Sequence, residues 1–230
     1  MTTTTTTTAT DVLLFIPNLI GYSRIVFTLT SFVLMIVYEE GEYWVLAILL
    51  YVASFVGDLF DGMAARKLNQ CSEFGGLLDM VTDRCSTLGI LYVLGSTSTT
   101  SLYRLIYLLL IILDISSHWC QMYSSSMGKD HHKSSKANQG RNFLVRWYYE
   151  YYYFFGYLCV GAEFTYILAY ILRFSEKSTF WYPILLLCFR FCLPGCIMKQ
   201  IVNIFQLSSA CRVVAAHDAV IHNSNNKQKS

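Results

Sequence analysis

Four aspartates stand at spacings that suit chemistry. Asp58 and Asp61 are three residues apart, and Asp79 and Asp83 are four apart. On an α-helix such spacings put both side chains on one face. Each pair lies in an apolar stretch, where charged groups are costly and are kept for function. A short connection joins the two stretches, so the helices run antiparallel and their four carboxylates meet at one depth near one membrane surface. Four unpaired carboxylates repel one another and require a cation among them. Arg66 and Arg84 supply part of that charge. Hard divalent cations supply more, and carboxylate oxygen suits Mg²⁺ or Mn²⁺. The competing reading is a structural ion-pair network of Asp58, Asp61, Arg66, Asp83 and Arg84, but two arginines do not neutralise four acids. Gly57 and Gly62 flank the first pair, and Gly75 and Gly76 precede the second. Glycine lets helices or ligands come close. Beside the acids, these glycines suggest a phosphate-bearing ligand held near the backbone.

The elements that position these residues must be membrane helices. Of 230 residues, 54% are hydrophobic and only 14% charged, against roughly 25% charged in a soluble domain. The net charge of +2 averages segments on opposite sides of a bilayer and excludes nothing. Six stretches reach the ~20 apolar residues a span needs. They cover about 18–38, 43–65, 75–94, 102–123, 149–172 and 180–207. Pro17 suits the start of the first helix, and Asp11 to Ile16 reads as a short interfacial piece before it. The expected fold is an all-α membrane protein with six transmembrane helices and both termini cytosolic. Residues 1–10 form a disordered Thr-rich tail, 11–210 the transmembrane domain and 211–230 a cytosolic C-terminal tail.

Loop charge sets the orientation. Arg66, Lys67, Lys129, Lys133, Lys136, Arg141, Arg146, Arg212, Lys227 and Lys229 fall on one side, and only Arg104, Arg173 and Lys177 on the other. The connection holding Glu39, Glu40 and Glu42 is acidic. The basic loop from Lys129 to Arg146 reads as a contact for anionic head groups. The aromatic run from Trp147 to Phe155 reads as an interfacial belt. Eight cysteines show no CxxC pair or zinc spacing and are expected as free thiols. The polythreonine run is low-complexity, without the basic start of a signal peptide. Arg24 and Arg190 are further charges inside spans, each placed to face a polar cavity or pair with an acid. Asp114, Ser117 and His118 are polar residues within the fourth span. Asp114 and His118 share a face and either hydrogen-bond a polyol or pair with each other.

The residues read Asp58-x-x-Asp61-Gly62-x-x-Ala65-Arg66, then eight residues, then Gly75-x-x-x-Asp79-x-x-x-Asp83. This resembles the signature of the CDP-alcohol phosphatidyltransferase family, with every position filled. Further stretches are similar to its eukaryotic inositol-transferring branch. They are Pro17 to Phe27, Ala64 to Gln70, Leu78 to Thr87 and Asp114 to Trp119. The resemblance covers roughly residues 11–220. It implies transfer of the phosphatidyl group of CDP-diacylglycerol to myo-inositol, with CMP as product, at the endoplasmic reticulum membrane. It implies two divalent ions, Mg²⁺ or Mn²⁺, with Asp58, Asp61 and Asp79 on the first and Asp79 and Asp83 on the second. Gly62, Arg66 and Ser72 would bind the CDP-diacylglycerol head group, and Asp83 would be the catalytic base. Asp83 is alternatively a ligand alone. Related enzymes are dimers, which makes a homodimer the expectation, and no nucleic-acid partner is expected. Two other readings compete: the same chemistry on serine, glycerol phosphate or choline, and a cation transporter using the four acids. A transporter more often shows internal repeats and half-helices broken near the midplane; the chain shows no internal repeat, and its acids sit near one surface.

Overall fold

A computed structural model describes residues 7–38, 42–129 and 152–229. Among these, every regular element is a helix: α1 (Ala9–Leu13), α2 (Ile16–Val37), α3 (Trp44–Lys67), α4 (Glu73–Ser96), α5 (Ser101–Lys129), α6 (Tyr152–Phe174) and α7 (Tyr182–Lys229). Among the described residues, five helical stretches are long and apolar enough to cross a membrane: Ile16–Val37, Trp44–Lys67, Ser101–Met127, Gly156–Phe174 and Tyr182–Asn226. The expected third span is helical as α4 and 24 residues long. Its charge sets it apart, since it carries Glu73, Asp79, Asp83 and Arg84. Glu39, Glu40, the basic stretch to Arg146 and the aromatic run to Phe155 fall outside the described residues and side chains.

The distribution of polarity is that of a chain solvated by lipid. Large apolar side chains point outward, among them Val26, Leu29, Leu49, Leu108 and Phe191. Polar ones point inward: Thr28, Ser31, Ser54, Ser117 and Asn203 are buried. Where lipid replaces water, apolar surface gains nothing by hiding, and close packing with interhelical hydrogen bonds holds the helices together.

The chain forms two compact units. The first holds α1 to α4 together with Arg173–Ser175, and the second holds α5 to α7 up to Leu172 and from Glu176. In the first unit α2 packs against both α3 and α4. Hydroxyl groups stitch the three helices: Thr28 Oγ1 lies 2.8 Å from Ser54 Oγ and 3.3 Å from Ser86 Oγ. Ser31 donates to the Ala47 carbonyl at 2.7 Å. Phe32 packs against α4 where Gly89 leaves room, because a Cβ on Gly89 would fall 2.1 Å from the Phe32 ring. In the second unit α5 packs on α7. Tyr166 of α6 is buried, with its hydroxyl accepting from Gln200 Nε2 of α7 at 3.1 Å and from the Cys196 thiol at 3.5 Å.

Local sequence explains the element ends nearest the acids. Thr8 caps α1 in a capping box with Asp11, so Thr8 to Thr10, grouped with the tail on composition, form a helix start. α3 ends in a Schellman arrangement. Asn69 takes the left-handed conformation at φ 53°, and the Gln70 N–H donates to the Ala65 carbonyl at 2.9 Å. Asparagine tolerates that conformation better than most residues. Ser72 then caps α4 by accepting from the Gly75 N–H at 3.0 Å. At the far end, α7 continues through residues 208–229, past the Leu207 limit expected from apolarity alone. The eight cysteines are thiols with no disulfide among them, as expected.

Candidate active site

The acids come together through helix packing. Asp58 and Asp61 extend from the last turns of α3, and Asp79 and Asp83 from α4. Asp58, Asp61 and Asp79 each offer a carboxylate oxygen within 4.8 Å of the others. Asp83 lies outside that group of three. What joins it to them is Arg24 of α2. Arg24 Nη1 lies 2.9 Å from Asp58, 2.5 Å from Asp61 and 3.0 Å from Asp79, and Nη2 lies 2.6 Å from Asp83. Arg84 is a more distant neighbour of Asp83, at 3.6 Å.

The cation at the centre of the acids is therefore Arg24, whereas spacing pointed first to Arg66 and Arg84. Arg24 was visible as a charge inside a span, the signal that marks such residues for attention. Nothing in spacing could say which helix it faced, because its partners lie 34 to 59 positions further along (Asp58 − Arg24, Asp83 − Arg24). The second intramembrane arginine, Arg190, is exposed on α7.

A cleft of about 200 Å³ opens beside the cluster. Asp61 and Asp79 form part of its wall, and so do Gly62, Arg66 and Ser72, the three residues expected at the head group. Arg66 is exposed, and its guanidinium lies across the face of Gly62, 3.5 Å from where a Cβ would stand. Gly76, at the first turn of α4, presents open space at the cleft, with no atom within 4 Å of a Cβ position. The Ser72 hydroxyl is engaged in capping α4, so it shapes the cleft by fixing that first turn. Asn18 is fully buried and donates to the Val12 carbonyl at 2.5 Å, and Gln70 accepts from the Ile16 N–H at 3.0 Å. The first bond holds the start of α2 against α1, and the second ties it to Gln70 of the cleft wall. Sequence reasoning had no signal for them beyond the polar types.

The donor set suits a hard divalent cation. It consists of carboxylate oxygens, with no thiolate or imidazole among them. The cluster's demand for positive charge is visible in the guanidinium that forms ion pairs with all four acids.

The polar residues proposed for a polyol lie in the second unit. Asp114 and Ser117 are buried in α5. The Ser117 hydroxyl donates to the Asp114 carbonyl at 3.1 Å, and His118 Nδ1 lies 2.8 Å from that carbonyl and 3.7 Å from the Asp114 carboxylate. The local pairing that spacing allowed is thus present.

Comparison with known proteins follows the same lines. Curated relatives match over most of their length. A probable CDP-diacylglycerol–inositol 3-phosphatidyltransferase 2 of Arabidopsis thaliana is 37% identical, covering 90% of this chain and 92% of the relative. The CDP-diacylglycerol–inositol 3-phosphatidyltransferase of Saccharomyces cerevisiae is 37% identical over 96% and 94%. That of Homo sapiens is 37% identical over 91% and 95%. No solved structure gives a significant match. The CDP-alcohol phosphatidyltransferase model matches residues 14–207, a range that takes in Arg24, the four aspartates and the cleft, and the chain belongs to that family.

Proposed function

We propose that this protein is a phosphatidylinositol synthase, which transfers the phosphatidyl group of CDP-diacylglycerol to myo-inositol and releases CMP. The observation that carries the reading is the convergence of Asp58, Asp61 and Asp79, with Asp83 beside them, next to a cleft that Asp61 and Asp79 wall together with Gly62 and Arg66. The similarity to curated inositol 3-phosphatidyltransferases over some nine-tenths of the chain supports inositol as acceptor.

Asp58, Asp61 and Asp79 would hold one divalent ion, and Asp79 and Asp83 a second, Mg²⁺ or Mn²⁺ in either place. When bound, such ions offset the charge of the diphosphate and steady the attacking and leaving oxygens of an in-line displacement. The chain's own residues do the rest. Arg66 presents a planar fork of donors to the cleft, a shape that matches phosphate oxygens. Gly62 and Gly76 keep the walls low, so that the diphosphate comes close to the backbone, and Ser72 fixes the turn that carries Gly76. An inositol hydroxyl attacks the lipid-bearing phosphorus, and the bond from that phosphorus to the bridging oxygen breaks. CMP leaves with the electron pair. Asp83 takes the hydroxyl proton. Its carboxylate is half-open at 35% side-chain exposure, which lets a water-soluble acceptor reach it.

In this reading α2 to α7 all span the membrane. Lipid on both sides is acceptable to α4 because its acids face α2 and the cleft. Both termini and the cleft face the cytosol, the side on which inositol and CMP are dissolved. The protein acts as a homodimer in the endoplasmic reticulum membrane.

The test uses membranes from cells expressing the protein, supplied with CDP-diacylglycerol, labelled inositol and Mn²⁺ or Mg²⁺. Labelled lipid that depends on both the metal and the nucleotide lipid is the expected result. Product with serine, glycerol phosphate or choline in place of inositol would remove the acceptor assignment. No product with any alcohol from folded protein would remove the catalytic one.

A further inference from the structure

Arg24 has no task in the transfer itself, yet it occupies the place where the acids converge. Its side chain is 3% exposed. The three residues that Nη1 touches, Asp58, Asp61 and Asp79, are the same three whose carboxylate oxygens lie within 4.8 Å of one another. An ion held by those oxygens would have to lie where Nη1 lies. A divalent cation and the guanidinium need the same lone pairs, and as like charges they repel one another in a poorly screened site.

The surroundings of Arg24 divide into a fixed part and a free part. Its backbone carbonyl accepts from Ser54 Oγ at 3.1 Å, and Ser54 is held in turn by Thr28. The aliphatic stem runs over Gly57, where a Cβ would stand 2.9 Å from Cγ and 3.3 Å from Cδ. The Nε atom is buried and has no hydrogen-bond partner. The backbone is therefore anchored, while the side chain lies in a channel kept clear by a glycine. Rotating it away from the acids breaks no bond at Nε.

We propose that Arg24 is a resident counter-cation that competes with divalent ions for the carboxylate cluster. In the metal-free protein it holds the four acids together, and it withdraws as ions load. It is a positioning residue, and the proposal rests on the reading that the cluster binds divalent ions. By reciprocity, whatever the ions lose in displacing Arg24 is regained when Arg24 is absent. This predicts that removing a cation from the site makes a second cation bind more tightly. A merely structural arginine predicts the opposite, because looser acids would bind an ion less well.

The experiment uses the full chain in detergent, stripped with EDTA and without substrates. Mn²⁺ is titrated by calorimetry, and thermal unfolding is followed with and without Mn²⁺. Arg24→Gln is expected to bind Mn²⁺ about tenfold more tightly than wild type, within the usual range of coupling between linked sites. It should melt lower than wild type in EDTA and gain more from Mn²⁺. Gly57→Ala, which crowds the stem without changing any charge, should shift Mn²⁺ affinity the same way by a smaller factor. Unchanged or weaker Mn²⁺ binding by Arg24→Gln overturns the proposal while leaving the metal reading intact. If Arg24→Gln does not fold in EDTA, Gly57→Ala decides by the same criterion. Wild-type protein that shows neither heat nor a thermal shift with Mn²⁺ removes the metal reading, and the proposal falls with it.

Discussion

Gly89→Ala sets two well-known effects against each other, and the structure says which wins. Alanine in place of glycine inside a helix ordinarily stabilises by about 1 kcal/mol. Here the added Cβ of α4 would stand 2.1 Å from Phe32 Cε2 and 2.2 Å from Cζ of α2. Ordinary carbon contacts are about 3.5–4.0 Å, so the ring or the helix must give way by more than 1 Å. The ring has little room, since it lies against Tyr51 of α3 with centroids 6.0 Å apart. Overpacking of this kind costs about 1–3 kcal/mol, which outweighs the helix gain. The net loss corresponds to a fall of several degrees in melting temperature at about 2–4 °C per kcal/mol for a chain of this size. Thermal unfolding in detergent, followed by size-exclusion fluorescence, measures it. Phe32→Ala opens the space, and in that background Gly89→Ala should become stabilising. A Gly89→Ala change that stabilises the otherwise wild-type protein, or that has the same effect in both backgrounds, refutes the reasoning.

Other outcomes follow from the same geometry. Asp61→Asn keeps the side-chain shape but removes one charge from the cluster, and should lower transferase activity about 100-fold or more, as loss of one preorganised electrostatic contact does elsewhere, with folding checked by size-exclusion chromatography. Tyr166→Phe removes the hydroxyl that Gln200 and Cys196 share and should cost about 1 kcal/mol, read as a lower melting temperature. Asp11 is held below the usual carboxylate range by hydrogen bonds from the Thr8 backbone N–H and hydroxyl. A carboxyl whose folded pKa is depressed contributes its stability above the unfolded value, near 3.9, and loses it as pH falls through the lower folded value. The Thr8 amide signal in NMR should therefore titrate below the normal carboxylate range, and Asp11→Asn should abolish that transition.

The acids were legible in the sequence because a helix converts spacing into direction. Asp58 with Asp61, and Asp79 with Asp83, needed only the 3.6-residue turn to be paired, and the short connection fixed the two helices as antiparallel. Gly62 and Arg66 follow within the next turn and a half and reach the same cleft. Ser72 was legible by position, while its capping bond to Gly75 depends on where α4 begins, the least certain part of any sequence reading. Arg24 was legible as an anomaly but not as a partner. Its place depends on how α2 rotates against α3 and α4, which is set by contacts such as Gly89 with Phe32 and Thr28 with Ser54 that no single helix contains. α4 shows the converse difficulty. Its length reads as a span, but its charged residues, among them the acids needed by the cleft, leave it outside the five stretches apolar enough to cross a membrane.

Arg24 also bears on how the chain is assembled. α2 precedes its partner helices in the chain, and it carries a guanidinium that an isolated helix would expose to hydrocarbon, at a cost of up to roughly 2.5–3.5 kcal/mol, the figure for an arginine at a helix centre. Its four partners are encoded 34 to 59 residues later (Asp58 − Arg24, Asp83 − Arg24). Until Asp58 and Asp61 of α3 have been synthesised, the nascent chain holds an uncompensated charge, so the helix that organises the first unit is poorly able to settle alone. α2 is then expected to enter the bilayer together with α3, the helix that brings the first two of its four partners.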